Sequence, residues 1–368
     1  MRDRDEFDAW FRLLETPGLG REGTRRLLAS FGSATRVLAA SRSAVQQVVG
    51  AALAEAVATE PEALSERLQA ARAWLDGGEQ RQVLCLGDDD YPPLLLQSAD
   101  PPLMLYAQGR TALLRQPCLA IVGSRNATAQ GVDNARAFAA HLSRQGWAIV
   151  SGLAYGIDGA AHEGALSAAG STVAVVGTGL DRVYPARHRA LAHRIAAEGV
   201  LLSEFAPGTP PLAQNFPQRN RIIAGLARGT LVVEAALQSG SLITARQAAE
   251  NGREVFAVPG SIHSPLSRGC HALIRQGAKL VESAEDILEE LQGFAMPSSP
   301  ANVPETPPAD TRVDPVLQAL GHDPMTLDVL CARTGWSAQE LSARLLELEL
   351  EDQVARLPGG LYQRRGHS

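Results

Sequence analysis

The stretch from Asn215 to Gly260 reads NFPQRNRIIAGLARGTLVVEAALQSGSLITARQAAENGREVFAVPG, and it decides the fold class. An apolar strand over 230–233 follows the Arg-Asn-Arg segment 219–221, and Ser239-Gly240-Ser241 stands where the next helix should begin. Backbone N–H groups at a helix start favour anions, helped by the helix dipole, and arginine can hold phosphate with two parallel hydrogen bonds. We therefore expect an anion site at this strand–turn–helix junction.

The charge around this stretch differs from that of the whole chain. Residues 209–280 contain eight Arg or Lys and three Asp or Glu, whereas the 368-residue chain has a net charge of −6. A basic island in an acidic protein indicates a phosphate-bearing polymer as the partner.

Upstream and downstream of this stretch, strand, glycine turn and helix repeat from Cys118 (CLAIVG) to KLVES. The pattern predicts an α/β fold: an extended Rossmann-like, doubly wound parallel sheet of about six or seven strands with helices on both faces. Ligands bind at the carboxyl ends of such strands, so we expect the turns there to form one shared anion site. These turns are Gly123-Ser124-Arg125, Ser151-Gly152, Gly177-Thr178-Gly179 and Ser239-Gly240-Ser241.

The sequence divides into a small all-α N-terminal domain (1–78), the sheet domain (79–292), a linker rich in Pro, Ser and Ala (293–312) and a C-terminal winged helix (313–368). In the first domain, the turn TPGLG at 16–20 resembles that of a helix-hairpin-helix, whose glycine amides contact a DNA backbone. An ordinary αα-hairpin needs glycine for the same backbone reason, and both interpretations stay open.

The predicted winged helix ends in two short strands around a Pro-Gly-Gly turn. Residues 313–368 contain eight acids and five arginines. A reader of the DNA major groove is expected to be basic. We therefore expect this domain to bind protein or to pack against the rest of the molecule.

Several classes of protein are disfavoured by what the sequence lacks. The four cysteines are scattered without a CxxC pair, which argues against a disulfide frame or a zinc site and favours a reducing cytoplasm. No apolar run has the length of a membrane span, and the N-terminus has no signal-peptide core. The first strand is not followed by G-x-G-x-x-G, and the only lysine, Lys279, forms no Walker A motif. We expect no cofactor, no metal and no membrane partner.

A catalytic pair is also not expected. Asp158 and His162 are four residues apart near a predicted helix start, where an acid also stabilises the helix dipole. Ser151 lies in no GxSxG elbow, so a triad with these two residues is not supported. The sequence predicts no catalytic residues.

Several longer motifs of the sequence resemble those of a known protein family. IVGSR, SGLAYGIDGAAHEGAL, GTGLDRVYP, LLSEFAPG, FPQRNRIIAGLA, VVEAALQSGSLITARQA and VFAVPGSIHSPLSRGCHALIRQGAKLV occur in the order seen in the DNA-processing protein A (Smf) family. The resemblance covers roughly residues 80–290. It implies a cytoplasmic, dimeric protein without catalytic turnover. Such a protein binds and protects single-stranded DNA, and loads a RecA-type recombinase during natural transformation in competent cells.

Transferred by motif, the resemblance implies that Arg125, Arg219, Arg221 and the Ser239-Gly240-Ser241 turn hold phosphates. Phe216 either stacks on a base or anchors its own loop, and Asn220 offers its amide to a base edge or a phosphate. Arg246, on the helix after the serine turn, is a further candidate for DNA binding. Gln218 departs from the family, which often has a basic residue there, so this chain lacks that cation.

The segment CHALIRQGAKLV resembles the self-association surface of the same family. It makes His271, Ile274 and Leu280 candidates for a homodimer interface. For Ile274 and Leu280, simple core packing of a terminal helix and strand explains the pattern equally well.

Two other functions remain open. The first is a nucleotide-processing, phosphoribohydrolase-like enzyme on the same type of sheet. Those enzymes carry PGGxGTxxE where this chain has QSGSLITARQ, and their catalytic glutamate is not matched. The second is a structural scaffold for protein partners, which rests only on the acidic winged helix.

Overall fold

The structure is a computed structural model that describes residues 3–168, 170–291, 314–321 and 324–365. The predicted linker 293–312 lies outside the described residues. Three groups of elements follow one another along the chain: six helices, a large sheet with its covering helices, and a small domain of three helices and three strands.

The first group is helical, as predicted. Its first helix carries Phe7, Trp10 and Phe11 on one face, and this face is buried against the other helices and against residues of the sheet such as Tyr106. The turn between the first two helices has Gly18 and Gly20 at positive φ, which suits glycine. The helices are α1 Arg4–Glu15, α2 Gly20–Phe31, α3 Ala34–Ala39, α4 Arg42–Val49, α5 Ala51–Ala58 and α6 Leu64–Asp76.

The sheet has nine strands in the order β1-β2-β6-β5-β4-β3-β7-β8-β9. The seven strands from β3 to β9 are parallel to one another, which confirms the predicted doubly wound sheet. Two antiparallel strands, β1 and β2, extend it beyond β6 and were not predicted. The strands are β1 Arg81–Cys85, β2 Met104–Gly109, β3 Cys118–Val122, β4 Ala148–Ser151, β5 Thr172–Val176, β6 Val200–Ser203, β7 Gly229–Val232, β8 Glu254–Ala257 and β9 Lys279–Leu280.

Helices cover both faces of this sheet, which is why central strands such as β3 and β5 are buried along their whole length. One face packs on Ile222 and Leu226, and the other on Phe138 and Leu142. The helices are α7 Pro93–Leu96, α8 Ala129–Arg144, α9 Ile157–Ala168, α10 Arg189–Glu198, α11 Asn215–Leu226, α12 Gly240–Glu250, α13 Arg268–Arg275 and α14 Ala284–Leu291. Two 3₁₀ turns lie at Thr111–Arg115 and Ala186–His188.

The third group is the predicted winged helix, with its own core around Leu330, Leu341 and Leu345. A Pro-Gly-Gly turn joins the last two strands, and both of its glycines have positive φ. The elements are α15 Pro315–Leu320, β10 Met325–Thr326, α16 Leu327–Thr334, α17 Ala338–Leu350, β11 Val354–Leu357 and β12 Leu361–Arg364.

The strand order creates a switch point between β3 and β7. From β3 the chain winds outward through β4, β5 and β6, and then returns to the other side of β3 with β7. The loops that follow β3 and β7 therefore separate at the carboxyl edge and leave a crevice between them. This crevice is where a doubly wound sheet binds its ligand.

Candidate nucleic-acid interface

A cavity of about 750 Å³ occupies this crevice. It is lined by the loop after β3, by the first turns of α11 and by the first turns of α12. Nine of the residues predicted for DNA binding line it: Gly123, Ser124, Arg125, Phe216, Arg219, Asn220, Ser239, Gly240 and Ser241. The charged side chains in its lining are Arg125, Arg219 and Asp158, so the cavity carries one net positive charge.

The serine turn forms the start of α12, as the sequence predicts. The Ser239 hydroxyl accepts a hydrogen bond from the Ser241 N–H at 3.3 Å and caps the helix. Gly240 has open space where a Cβ would stand, so a ligand can approach the backbone there. The Asn220 side chain donates to the Gly240 carbonyl at 3.4 Å and ties α11 to this turn. The helix start thus faces the cavity with its positive end.

Arg125 and Phe216 form the open side of the cavity. The Arg125 side chain is exposed, and its guanidinium carbon lies 5.8 Å from the centre of the Phe216 ring. The Tyr184 ring also packs against Phe216, with 5.5 Å between the two ring centroids. Tyr184, which no sequence motif marks as a candidate, is 49% exposed and lines the cavity. A cation beside two aromatic rings suits both a phosphate and a base.

Arg219 lies deeper than the sequence suggests. It is only 4% exposed, donates to the Val175 carbonyl and faces the buried Asp158 carboxylate. Burial lowers the pKa of Arg219 to about 10, and Asp158 opposes that shift, so the guanidinium stays charged at neutral pH. Burial also raises the pKa of Asp158, whereas Arg219 and the N–H groups of Gly152 and Ala154 act in the opposite direction.

Four of the predicted glycine and serine residues support the cavity without lining it. Gly152 leaves room for the guanidinium of Arg219, because a Cβ at this position would overlap it. Gly177 packs under the Phe216 ring, and its carbonyl accepts a hydrogen bond from Asn215 at 3.0 Å. Gly179 allows the close approach of Ala206, and Ser151 is buried with its hydroxyl bonded to the Ile121 carbonyl.

Two predicted arginines do not reach the cavity. Arg221 points to the other side of α11, where it pairs with Glu204 and donates to the Asp100 carbonyl. Arg219 and Arg221 are two residues apart on a helix, and such neighbours do not face the same way. Arg246 is exposed on α12 outside the cavity lining.

The buried histidine of the Asp158–His162 motif has a structural place. His162 bonds through Nδ1 to the Thr172 hydroxyl at 2.8 Å, and its Nε2 accepts from the Leu153 N–H at 3.3 Å. Burial lowers its pKa to about 3, so the ring is neutral. Leu153 has a positive φ of 59°, and these bonds hold the loop after β4 in that conformation. These hydrogen bonds therefore fix the loop after β4, which lies beside Arg219.

Glu234, the acidic residue that follows β7, also has a structural role. Both carboxylate oxygens of Glu234 bind Thr128, one at its N–H (3.0 Å) and the other at its hydroxyl (2.6 Å). Thr128 in turn caps the start of α8. Glu234 thus joins the two sides of the switch point and does not line the cavity.

Other features of the described residues complete the chemistry. None of the cysteines there forms a disulfide, and no group of His, Cys, Asp and Glu in these ranges is arranged to hold a metal ion. Among the helices that the structure describes, none is both long and apolar enough to cross a membrane.

Comparison with known proteins shows the family of this chain. Residues 82–292 match the profile of DNA recombination-mediator protein A, and residues 299–360 match that of the DprA winged helix domain. The chain belongs to the DNA recombination-mediator protein A family. It is 44% identical over 305 residues to protein Smf of Escherichia coli, covering 81% of each chain. It is 50% identical over 205 residues to DNA processing protein DprA of Streptococcus pneumoniae, covering 56% of this chain and 72% of that protein.

Solved structures of the family also resemble this one. The crystal structure of DprA from Streptococcus pneumoniae is 38% identical with a TM-score of 0.67, and the match covers 78% of this chain and 98% of that one. DNA processing protein A from Helicobacter pylori is 30% identical with a TM-score of 0.53, covering 58% of this chain and 96% of that one. The latter structure concerns a mode of single-stranded DNA binding. The predicted family and fold class are thereby confirmed.

Proposed function

We propose that this member of the DNA recombination-mediator protein A family binds single-stranded DNA in the cavity at the switch point of its sheet. The observation that carries the proposal is the combination, in one crevice, of a helix start, an exposed arginine and two aromatic rings. Phosphates would contact Arg125 and the serine turn, and a base would stack on Phe216. Positive grooves with stacking platforms are the usual means of holding a single strand.

The same proposal includes the finer role that the family resemblance implies. In the cytoplasm, the protein would protect incoming single strands and load a RecA-type recombinase onto them during natural transformation. It would do so as a homodimer and without catalysis of its own. Support for a binding role comes from the cavity: its one carboxylate, Asp158, is buried and held by two backbone N–H groups and by Arg219.

A salt-dependent gel shift tests the proposal directly. Oligo-dT should bind more tightly than duplex DNA of equal length, and log K should fall linearly with log salt. Arg125→Ala should weaken binding and make this slope shallower by about 0.7, the contribution of one phosphate contact on a single strand. Arg144→Ala is the charge-matched control, because Arg144 is exposed at the far end of α8.

Two results would contradict the proposal. A slope that is the same for Arg125→Ala as for the wild type would remove Arg125 from the phosphate site. Release of free base from nucleoside monophosphates at enzymatic rates would favour the phosphoribohydrolase-like alternative over a pure binding function.

A further inference from the structure

A second group of cations lies next to the cavity, on the segment between β5 and β6. Residues 182–197 contain four arginines and two histidines and no carboxylate. Five of these side chains are exposed, and we call them the basic ridge: Arg182, Arg187, Arg189, His193 and Arg194. Arg182 and Arg194 pair with Asp181 and Glu198. Within the described part of the chain, Arg187 and Arg189 have no carboxylate within ion-pair distance.

The ridge is continuous with the cavity through one loop. Tyr184 lies between Arg182 and Arg187 in sequence, and its exposed ring packs beside Phe216 at the cavity rim. His188 follows, with its Nδ1 bonded to the Leu153 carbonyl at 3.0 Å, so the loop is fixed to the cavity floor. A chain that leaves the cavity past Phe216 therefore meets Tyr184 first and the ridge next.

Beyond Tyr184 the surface forms a cleft of about 440 Å³. Its charged and titratable lining residues are Arg81, Asp181, Arg182, Arg189 and His193. Three arginines therefore stand against one carboxylate, and that carboxylate is paired with Arg182 and accepts a hydrogen bond from the Gly208 N–H at 2.8 Å. Arg189 and His193 are four residues apart on α10 and face the same side.

We infer that the basic ridge is a second contact surface for the same single strand, on which phosphates follow those bound in the cavity. The inference rests on the proposed DNA-binding function and extends it. An aromatic ring between two groups of cations is the arrangement in which a backbone-tracking groove continues past a stacked base. The ridge contacts phosphates only, so it adds affinity for longer strands regardless of their sequence.

The test compares oligo-dT of two lengths, about 6 nucleotides for the cavity alone and about 20 for the cavity and ridge together. The double variant Arg187→Ala/Arg189→Ala should bind the short oligonucleotide like the wild type. It should bind the long one at least about fivefold more weakly at low salt, and its log K against log salt should be shallower by about 1.4, since each phosphate contact contributes about 0.7. The control Arg36→Ala/Arg144→Ala removes the same charge from exposed positions elsewhere and should leave binding to both oligonucleotides unchanged.

The outcomes separate this inference from the proposed function. If Arg125→Ala does not affect the short oligonucleotide, the cavity is not the DNA site and the proposed function itself fails. If Arg125→Ala weakens both lengths but the Arg187/Arg189 variant binds the long oligonucleotide like the wild type, only the ridge is refuted as a DNA surface, and an acidic protein partner becomes the alternative. The inference would also be overturned if the double variant weakened binding of the short and the long oligonucleotide equally, because the ridge would then act through the cavity.

Discussion

Arg219 and Asp158 are both buried in the lining of the cavity and interact through their opposite charges, and this changes what Arg219 contributes. An arginine that is 4% exposed cannot leave its pocket to hold a phosphate, but its positive charge still acts on the cavity above it. Gly152 allows the guanidinium to sit there, and Asp158 balances part of its charge. The side chain therefore supports the fold and the electrostatics of the site together.

We predict that Arg219→Gln destabilises the protein by roughly 3–5 kcal/mol at neutral pH, because it leaves the Asp158 carboxylate buried without its cation. The folded-state pKa of Asp158 is already raised by burial, and loss of Arg219 raises it further. The native state then binds more protons than the unfolded state, so stability falls as pH rises above about 3.9, the unfolded pKa of aspartate. Urea unfolding at pH 5 and pH 7 measures this.

A second substitution provides the control for this pair. Asp158→Asn in the Arg219→Gln background removes the carboxylate and should recover stability at pH 7 and abolish the added pH dependence. Equal stability of Arg219→Gln at both pH values would show that Asp158 does not depend on Arg219.

Single residues also show where sequence reasoning succeeds and where it does not. The Ser239 turn is predicted correctly because a helix N-cap depends only on residues that are neighbours in the sequence. The motif predicts that Arg219 and Arg221 both hold phosphates, whereas helix geometry sends the two side chains to different sides of α11. Tyr184 gave only a weak signal, an aromatic residue in a loop after a strand, and its importance depends on the position of Phe216.

At the scale of elements, α11 stands between the cavity at the switch point and the N-terminal helical domain. Phe216 and Asn220 line the cavity, whereas Arg221 meets Glu204 and the Asp100 carbonyl on the other side. The Asp100 carboxylate accepts hydrogen bonds from Arg21 at 2.7 Å and from Arg25 at 2.9 Å, both on α2. These arginines hold the pKa of Asp100 below its usual value. The network therefore fixes α11 against the first domain.

We predict that Arg221→Gln weakens single-strand binding without changing its salt slope. The substitution breaks the Glu204 pair and loosens α11, so the cavity residues lose their fixed positions, but no phosphate contact is removed. Titration of oligo-dT at several salt concentrations distinguishes this from Arg125→Ala. A slope shallower by about 0.7 for Arg221→Gln would instead make Arg221 a direct phosphate ligand, as the sequence first suggested.

The sequence predicts some strands of the sheet and misses others. All seven parallel strands follow from short apolar runs bounded by glycine turns, since burial on both faces leaves a clear pattern. β1 and β2 escape prediction because they form an antiparallel pair at the edge of the sheet, and β1 is only partly buried. The pairing of β2 with β6 joins segments far apart in sequence, which a local pattern cannot show.

At the scale of the whole molecule, the winged helix is the part whose surface charge says least about its partner. The Gln363 side chain accepts a hydrogen bond from the Gln130 N–H at the start of α8, at 3.4 Å, so the wing lies against the sheet domain. Its helix α17 carries Glu340, Glu347 and Glu349 together with the exposed Leu346 and Leu350. This surface is unsuited to a DNA backbone and fits the expectation of a protein contact. The exact domain boundaries stay predictions.

The proposed homodimer interface lies at the β9 edge of the sheet. β9 is a two-residue edge strand, and Leu280 on it is 44% exposed, whereas Ile274 on α13 is half-buried against the core. The His271 side chain bonds to the Gly260 carbonyl at 3.0 Å through its Nε2. Leu280 is therefore the residue at which interface and core packing can be separated.

We predict that Leu280→Glu splits the dimer while the fold is kept. In a two-fold interface the substitution acts twice and places two carboxylates at the contact. The resulting monomer should bind long single strands more weakly, because the second site no longer acts at high effective concentration, and short oligonucleotides should be affected less. Sedimentation velocity measures the assembly, and Leu350→Glu, at a position 81% exposed on α17, is the matched control. An intact dimer for Leu280→Glu would place the interface elsewhere, and loss of thermal stability in this variant but not in the control would assign Leu280 to core packing instead.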